Sequence, residues 1–239
     1  MSHRYLLVSD LDGTLLGDAA ALERFSDWYS EHRNSIALAY SSGRLYESIL
    51  EAMHCFPLPH PDYIISGVGT EIRHGSEEAL WGDWPAQFTD WNADSVQQVI
   101  ERNFDFELQS SHNLTDWKVS YFAYSLTDHD LDEIGAALRE AGLSCRLVYS
   151  SAQDLDVLPM AAGKGGAAAF LARKEGIDHT RTIGAGDSGN DHCLLTTAGR
   201  GIVVANSQPE LKSLNGPTIY RAKHSFAAGV LEGLQHWLK

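Results

Sequence analysis

Asp10 and Asp12 stand one residue apart at the end of an apolar run, Leu6-Leu7-Val8-Ser9, and Gly13-Thr14 turn the chain directly after them. Such a run predicts a strand, and in an open α/β sheet ligands bind outside the carboxyl ends of strands. Two carboxylates this close raise each other's pKa. A Mg²⁺ ion, a hard cation suited to carboxylate and carbonyl oxygen, would remove that cost. Carboxylates can also form covalent aspartyl-phosphates. Asp10 is therefore a candidate nucleophile and Asp12 a candidate general acid and base. An isolated Asp-x-Asp at a strand end is also a common turn or cap. The rest of the chain must supply what the chemistry needs: another carboxylate, a cation and phosphate-binding donors.

Those parts are present. Ser41-Ser42-Gly43-Arg44 follows the strand-like Ile36–Tyr40. A hydroxyl there, before Gly and a helix start, makes either an anion site or a plain N-cap. Gly163-Lys164-Gly165-Gly166 opens an alanine-rich helix. The helix dipole disfavours a cation at that end, so Lys164 needs an acidic partner or a phosphate. Asp187 and Asp191 lie at i, i+4 in a strand-to-helix turn, a spacing that can put both carboxylates on one side. Rival readings fare worse. Gly184-Ala-Gly186-Asp-Ser-Gly189 matches a dinucleotide fingerprint, with Glu210 about 20 residues on, but Asp187 would oppose the pyrophosphate with its own charge. Gly163-Lys164 is not a P-loop, because Leu158 stands where the first Gly belongs and Gly165 where Ser or Thr would hold Mg²⁺. The eleven histidines form no HExxH pattern.

The elements that must hold these residues alternate. Leu22, Phe25, Trp28 and Tyr29 recur at helical spacing over 20–33, and a helix is expected over 45–53. Tyr63–Ser66 reads as a strand before the glycine-rich Gly67-Val68-Gly69-Thr70-Glu71. From Trp81 the texture changes to an insert of helix, strand, helix, strand, strand. It includes a strand over 118–126, and a capping box at Thr127 and Asp130 with Gly142 ending that helix. Trp81, Trp84 and Trp91 either stack on sugar rings or pack at a domain junction. Strand–helix alternation then resumes, with strands at 182–185, 201–205 and 218–220 and helices at 209–214 and 227–238. This alternation implies an α/β fold, a parallel sheet flanked by helices.

Composition narrows the function classes. The chain has 239 residues, 44% hydrophobic, and a formal net charge of −14. That charge argues against nucleic acid or an anionic membrane as partner. No apolar run is long enough to span a bilayer. Met1-Ser-His-Arg-Tyr5 leaves no room for a secretory signal before the first strand. Three widely spaced cysteines suit free thiols in a reducing cytoplasm. The expectation is a cytoplasmic monomer acting on a small molecule.

Asp-Leu-Asp-Gly-Thr, the strand-end Ser42, Lys164 and Gly-Asp187-Ser-Gly-Asn190-Asp191 together resemble, in order, the four motifs of the haloacid dehalogenase superfamily of phosphatases. The resemblance implies a Rossmann-like core over 1–80 and 163–239 with a smaller α+β cap of type IIB inserted over 81–162. It implies Mg²⁺ held by Asp10, the Asp12 carbonyl, Asp187 and Asp191, with Ser42 and Lys164 on the transferring phosphoryl group. Within the superfamily, Leu38-Ala-Tyr-Ser-Ser-Gly-Arg44, Ser66-Gly-Val-Gly69-Thr70-Glu71 and Trp117-Lys118-Val-Ser-Tyr121 resemble the sucrose-phosphate phosphatases. That likeness implies sugar contacts at Glu71 and Lys118, joined by Arg44, Gly69, Thr70 and Asn190 as substrate-binding positions. Ser41-Ser42 departs from the Ala-Thr pair common in that family, and much of the cap is unlike it. A sugar or polyol phosphate other than sucrose 6-phosphate, such as mannosylfructose phosphate, stays open on these residues. A phosphomutase and a silent binding module stay open as well.

Overall fold

The computed structural model of the protein describes residues 5–75, 79–110 and 115–238. A seven-stranded sheet is its frame: β1 (Tyr5–Ser9), β2 (Ile36–Ser41), β3 (Tyr63–Ser66), β4 (Glu71–His74), β9 (Thr182–Gly186), β10 (Arg200–Val203) and β11 (Ile219–Arg221). The spatial order is β11-β10-β9-β1-β2-β3-β4. All pairs are parallel except β3 with β4, which form a hairpin. β1 therefore lies between β2, reached directly, and β9, reached after a long excursion. That reversal of strand order is the switch point where α/β sheets bind ligands.

The strands are apolar on both faces, as a sheet covered twice requires. Leu7 of β1 enters a cluster with Leu22 and Phe25 of α1 (Ala19–His32), Ile49 of α2 (Tyr46–Cys55) and Val230 and Leu234 of α7 (Phe226–Trp237). Leu6 and Val8 point the other way, to Phe170 and Leu171 of α5 (Lys164–Lys174) and Leu194 of α6 (His192–Thr197).

A second, antiparallel sheet runs in the order β5-β6-β8-β7: β5 (Glu107–Leu108), β6 (Val119–Phe122), β7 (Cys145–Ser150) and β8 (Asp154–Pro159). One face carries Val119, Tyr121, Leu155 and Val157 against Val96 and Ile100 of α3 (Ala93–Asn103) and Ile134 and Leu138 of α4 (Asp128–Glu140). Side chains alternate across a strand, so Ser120, Asp154 and Asp156 belong to the opposite face.

Several sequence expectations are corrected. The strand expected over 118–126 ends at Phe122, and Ser125 turns the chain at φ 56°. The helix expected over 209–214 is a single 3₁₀ turn, Pro209–Leu211. β5 is two residues long, too short to show a periodicity. The capping box is present: Thr127 Oγ1 accepts from the Asp130 N–H, and Asp130 Oδ2 accepts from the Thr127 N–H at 2.7 Å. Trp84 is buried beside Phe88 and Phe170 and donates to the Gly69 carbonyl at 3.1 Å, so its ring packs at the junction of the two sheets. Among the described residues no helix is long and apolar enough to cross a membrane.

Candidate active site

Asp10 follows β1, Ser42 follows β2, Asp187 follows β9 and Lys164 opens α5, so four separate segments converge at the carboxyl ends of the central strands. The Asp10 N–H donates to the Ala185 carbonyl at 3.0 Å, which locks the end of β1 to β9. Carboxylate oxygens of Asp10, Asp187 and Asp191 lie within 4.8 Å of one another, and all three residues are buried. The Lys164 ammonium, fully buried, donates to Asp10 Oδ1 at 2.7 Å and to Asp191 Oδ1 at 2.6 Å. This pairing accounts for a cation at a helix start: its partners are two carboxylates.

Charge is unbalanced here, with three buried carboxyls against one ammonium. Burial lifts the Asp10 carboxyl far above the usual carboxylate range, to about 8; Lys164 opposes the lift, and Asp191 and Asp187 add to it. Asp187 is pushed up to about 6 by burial and by Asp191, against a hydrogen bond from Thr14 and the charge of Lys164. For Lys164, burial favours the neutral amine, but Asp10 and Asp191 outweigh it and hold the ammonium above its ordinary range. A hard divalent cation with oxygen ligands fits this donor set and this excess of negative charge. Asp10 and Asp187 would hold it. Asp191 has both oxygens engaged, Oδ1 by Lys164 and Oδ2 by the N–H groups of Asp187 and Ser188 at 3.0 and 3.1 Å, so it orients the turn that carries Asp187.

This charge excess predicts a pH-dependent response to metal. An unfolded Asp has a pKa of about 3.9. Asp10 and Asp187 titrate higher in the folded, metal-free protein, so between about pH 4 and 8 the folded state holds protons that unfolding releases. Their contribution to stability therefore falls as pH rises. A cation bound only by the folded state stabilises it and displaces those protons. The rise in unfolding midpoint produced by millimolar Mg²⁺ is expected to be larger near pH 8 than near pH 5, measured against EDTA by thermal unfolding. Equal rises would contradict the assignment.

Asp12 is placed differently from Asp10. Its carboxylate is 53% exposed and receives a two-pronged ion pair from Arg44, Nε to Oδ2 and Nη2 to Oδ1, both at 2.7 Å. Ser42 is buried, and its Oγ accepts from the Arg44 N–H at 3.2 Å. The turn after Asp12 is fixed from below. Gly13 sits at φ +79°, and a Cβ there would lie 2.6 Å from Asp187 Oδ2. Thr14 Oγ1 donates to Asp187 Oδ1 at 2.9 Å. Asn206 clasps the same turn, its Nδ2 donating to the Gly13 carbonyl at 2.7 Å while its Oδ1 accepts from the Phe226 N–H at 2.9 Å. The Gln208 N–H donates to the Asp187 carbonyl at 2.7 Å.

A cavity of about 430 Å³ opens over this floor. Its walls include Asp10, Asp12, Ser42, Arg44, Asp187 and Asn190 at the end of the large sheet, and Ser150, Ser151 and Asp154 from the end of β7, the turn after it and the start of β8. Lys164 and Asp191 lie beneath it. Five sequence-predicted substrate positions are not in its lining, the buried Lys164 among them. Gly69 packs against backbone, where a Cβ would lie 2.6 Å from the Lys164 nitrogen. Thr70 is buried and donates to the Gly67 carbonyl at 2.9 Å. Glu71 accepts from Arg73 at 2.6 Å and from Ser66 at 3.0 Å. Lys118 is buried 3.5 Å from Asp156. Sequence reasoning missed Ser150, Ser151, Asp154, Asn206 and Gln208. The polar run Ser150-Ser-Ala-Gln-Asp154 between two strands was a signal for a turn, not for where that turn points. A larger hollow of about 540 Å³ beside α4 and β7 is lined by Leu131, Leu138, Leu143 and Met160 among others, and it does not include the carboxylate cluster.

Comparison with known proteins gives the family and the fold. The family model described as sucrose-6F-phosphate phosphohydrolase matches residues 3–238. A mannosylfructose-phosphate phosphatase of Agrobacterium fabrum is 37% identical over 239 residues, covering 97% of this chain and 96% of that protein. Sucrose-phosphatase 1 of Nicotiana tabacum is 32% identical over 251 residues, covering 98% of this chain but 59% of the plant protein, so the chain spans about three-fifths of that relative. The solved structure of the sucrose-phosphatase from Synechocystis sp. PCC6803, in complex with sucrose and phosphate, superposes with a TM-score of 0.92 at 33% identity, covering 98% of both chains. A haloacid dehalogenase subclass IIB sugar phosphatase shares the fold at a TM-score of 0.66 and 15% identity.

Proposed function

The chain belongs to the sucrose-6F-phosphate phosphohydrolase family, and from that premise we propose that it is a cytoplasmic, Mg²⁺-dependent phosphatase that hydrolyses sucrose 6-phosphate to sucrose and inorganic phosphate. It is a phosphoric monoester hydrolase of the haloacid dehalogenase superfamily. The observation that carries the mechanism is the buried Asp10–Lys164–Asp191 chain beneath a cavity whose wall holds Asp12. An ammonium 2.7 Å from Asp10 favours its carboxylate form, the nucleophile.

In the first step an Asp10 oxygen attacks phosphorus, the bond from phosphorus to the sugar oxygen breaks, and Asp12 gives that oxygen a proton. In the second, water attacks the aspartyl-phosphate, Asp12 takes a proton from the water, and Asp10 leaves as the carboxylate with phosphate released. Ser42 and Lys164 hold the phosphoryl oxygens, since phosphoryl transfer is carried largely by positioning and charge neutralisation. Asp10 and Asp187 would hold Mg²⁺, which would supply further neutralisation of phosphoryl charge. Arg44 must release at least one prong from Asp12 before the proton moves. The insert over 81–162 serves as the cap that selects the sugar.

The mannosylfructose-phosphate phosphatase match, at 37% identity over nearly the whole of both chains, favours mannosylfructose phosphate as a second reading. Phosphate release from both substrates, with Mg²⁺ and with EDTA, decides between them. We expect Mg²⁺-dependent release with one substrate preferred at least about tenfold in kcat/KM, a difference of about 1.4 kcal/mol. Conversion of either substrate to an isomeric phosphate without phosphate release would instead indicate a mutase.

A further inference from the structure

Asp154 faces the cavity from the second sheet, where another negative charge is a cost for any anionic substrate. It opens β8, opposite Ser150 of β7 in the antiparallel register. The alternation that buries Leu155 and Val157 under α3 and α4 sends Asp154 to the other face. Its orientation is built rather than incidental. Gln109, only 8% exposed, donates from Nε2 to Asp154 Oδ1 at 2.9 Å, and its own N–H donates to the Ser120 carbonyl at 2.9 Å. The other oxygen, Oδ2, has a long contact with Gln153 at 3.4 Å. Asp154 is not among the three carboxylates whose oxygens cluster within 4.8 Å, so a metal at that cluster does not account for it.

A fixed carboxylate that takes no part in holding phosphate or metal is suited to accept hydrogen bonds from hydroxyls, and such charge-assisted bonds are among the stronger polar contacts. Sugar hydroxyls are the neutral donors that a sugar phosphate brings into this cavity. We propose that Asp154, oriented by Gln109, is a specificity-determining residue that accepts hydroxyl hydrogen bonds from the sugar half of the substrate. This assignment rests on the sugar-phosphate reading above and adds to it the residue that recognises the leaving group.

The test compares kcat/KM for sucrose 6-phosphate and mannosylfructose phosphate with that for p-nitrophenyl phosphate, whose leaving group offers no sugar hydroxyls. The proteins are the unmodified chain, Asp154→Ala and Gln109→Leu. For whichever sugar phosphate the unmodified protein prefers, Asp154→Ala is expected to lower the ratio of sugar phosphate to p-nitrophenyl phosphate at least tenfold, mainly through KM. Gln109→Leu should lower it by a smaller factor. A ratio within twofold of the unmodified protein in Asp154→Ala would overturn the assignment, as would equal losses on both kinds of substrate. An unmodified protein that hydrolyses p-nitrophenyl phosphate but neither sugar phosphate would overturn the sugar-phosphate reading itself, and this assignment with it.

Discussion

Asp10→Ala is expected to lower phosphate release by roughly four or more orders of magnitude, the scale on which removal of a covalent nucleophile is felt, and to leave the fold intact. The two halves have separate physical causes. Activity is lost because the other two buried carboxylates of the cluster cannot take the place of Asp10: Asp187 and Asp191 follow β9, and Asp191 has both oxygens occupied. The fold survives because Lys164 keeps its 2.6 Å partner Asp191, so no buried charge is orphaned. The substitution also takes away a buried carboxyl whose charge is resisted by burial and by two neighbouring carboxylates. Metal-free Asp10→Ala should therefore unfold at or above the midpoint of the unmodified protein. Phosphate release and thermal unfolding on the same preparation check both halves. Turnover above about one percent of the original rate would exclude Asp10 as the nucleophile.

Lys164→Met should do the reverse and damage stability as well as activity. The apolar stem of methionine fills most of the space, but Asp10 and Asp191 are left buried without their cation. Breaking a buried pair by removing one partner costs about 3–5 kcal/mol. The loss should depend on pH with a definite sign. Without the ammonium, the Asp10 carboxyl titrates still higher in the folded state. The deficit should then vary little between about pH 5 and 7, where the carboxyl is protonated with or without the ammonium, and grow as pH passes about 8 toward 9, where it ionises in the unmodified protein alone. Mg²⁺ should recover part of the stability near pH 9, because a cation again faces the carboxylates, while phosphate release stays low. Urea unfolding near pH 5 and near pH 9, with Mg²⁺ and with EDTA, reads these effects. A deficit that is the same at both pH values would mean that Lys164 matters through packing and not through charge.

Much of this was legible in the sequence because strand–loop–helix units mark themselves. Apolar runs ending in Asp10-Leu-Asp12, Ser41-Ser42 and Gly186-Asp187 announce both the strand and the reactive residue at its carboxyl end. The parallel sheet then brings these ends together with no further information needed. Lys164 was legible for a similar reason, since a cation at a helix start implies a counter-charge. The sugar-facing side was less legible. Asp154 belongs to a strand whose pattern tells which face it takes, but not what that face meets. Glu71 shares its strand face with Arg73, two residues on, whereas Lys118 meets Asp156, 38 residues away, which no local pattern pairs with it. Asn206 and Gln208 act through an amide side chain and a backbone N–H at contacts 193 and 21 residues away in sequence, beyond the range of any periodicity.

The sheet order also constrains how the chain is made. Leu6 of β1 registers with Thr182 of β9, and the apolar face of α1 is closed by α7, the last helix of the chain. During synthesis the first half-sheet therefore emerges with one edge of β1 unpaired and one face of α1 uncovered. Both stay so until β9 and α7, residues 182–237, leave the ribosome. Contacts this distant in sequence slow folding, and open strand edges invite association with other chains. Unlike a site carried on one hairpin, this one cannot be assembled early: Asp10 waits for Lys164, 154 residues later, before it has a counter-ion. A release that ends short of α7 yields a chain with the nucleophile and its ammonium both present and one face of the core still wet.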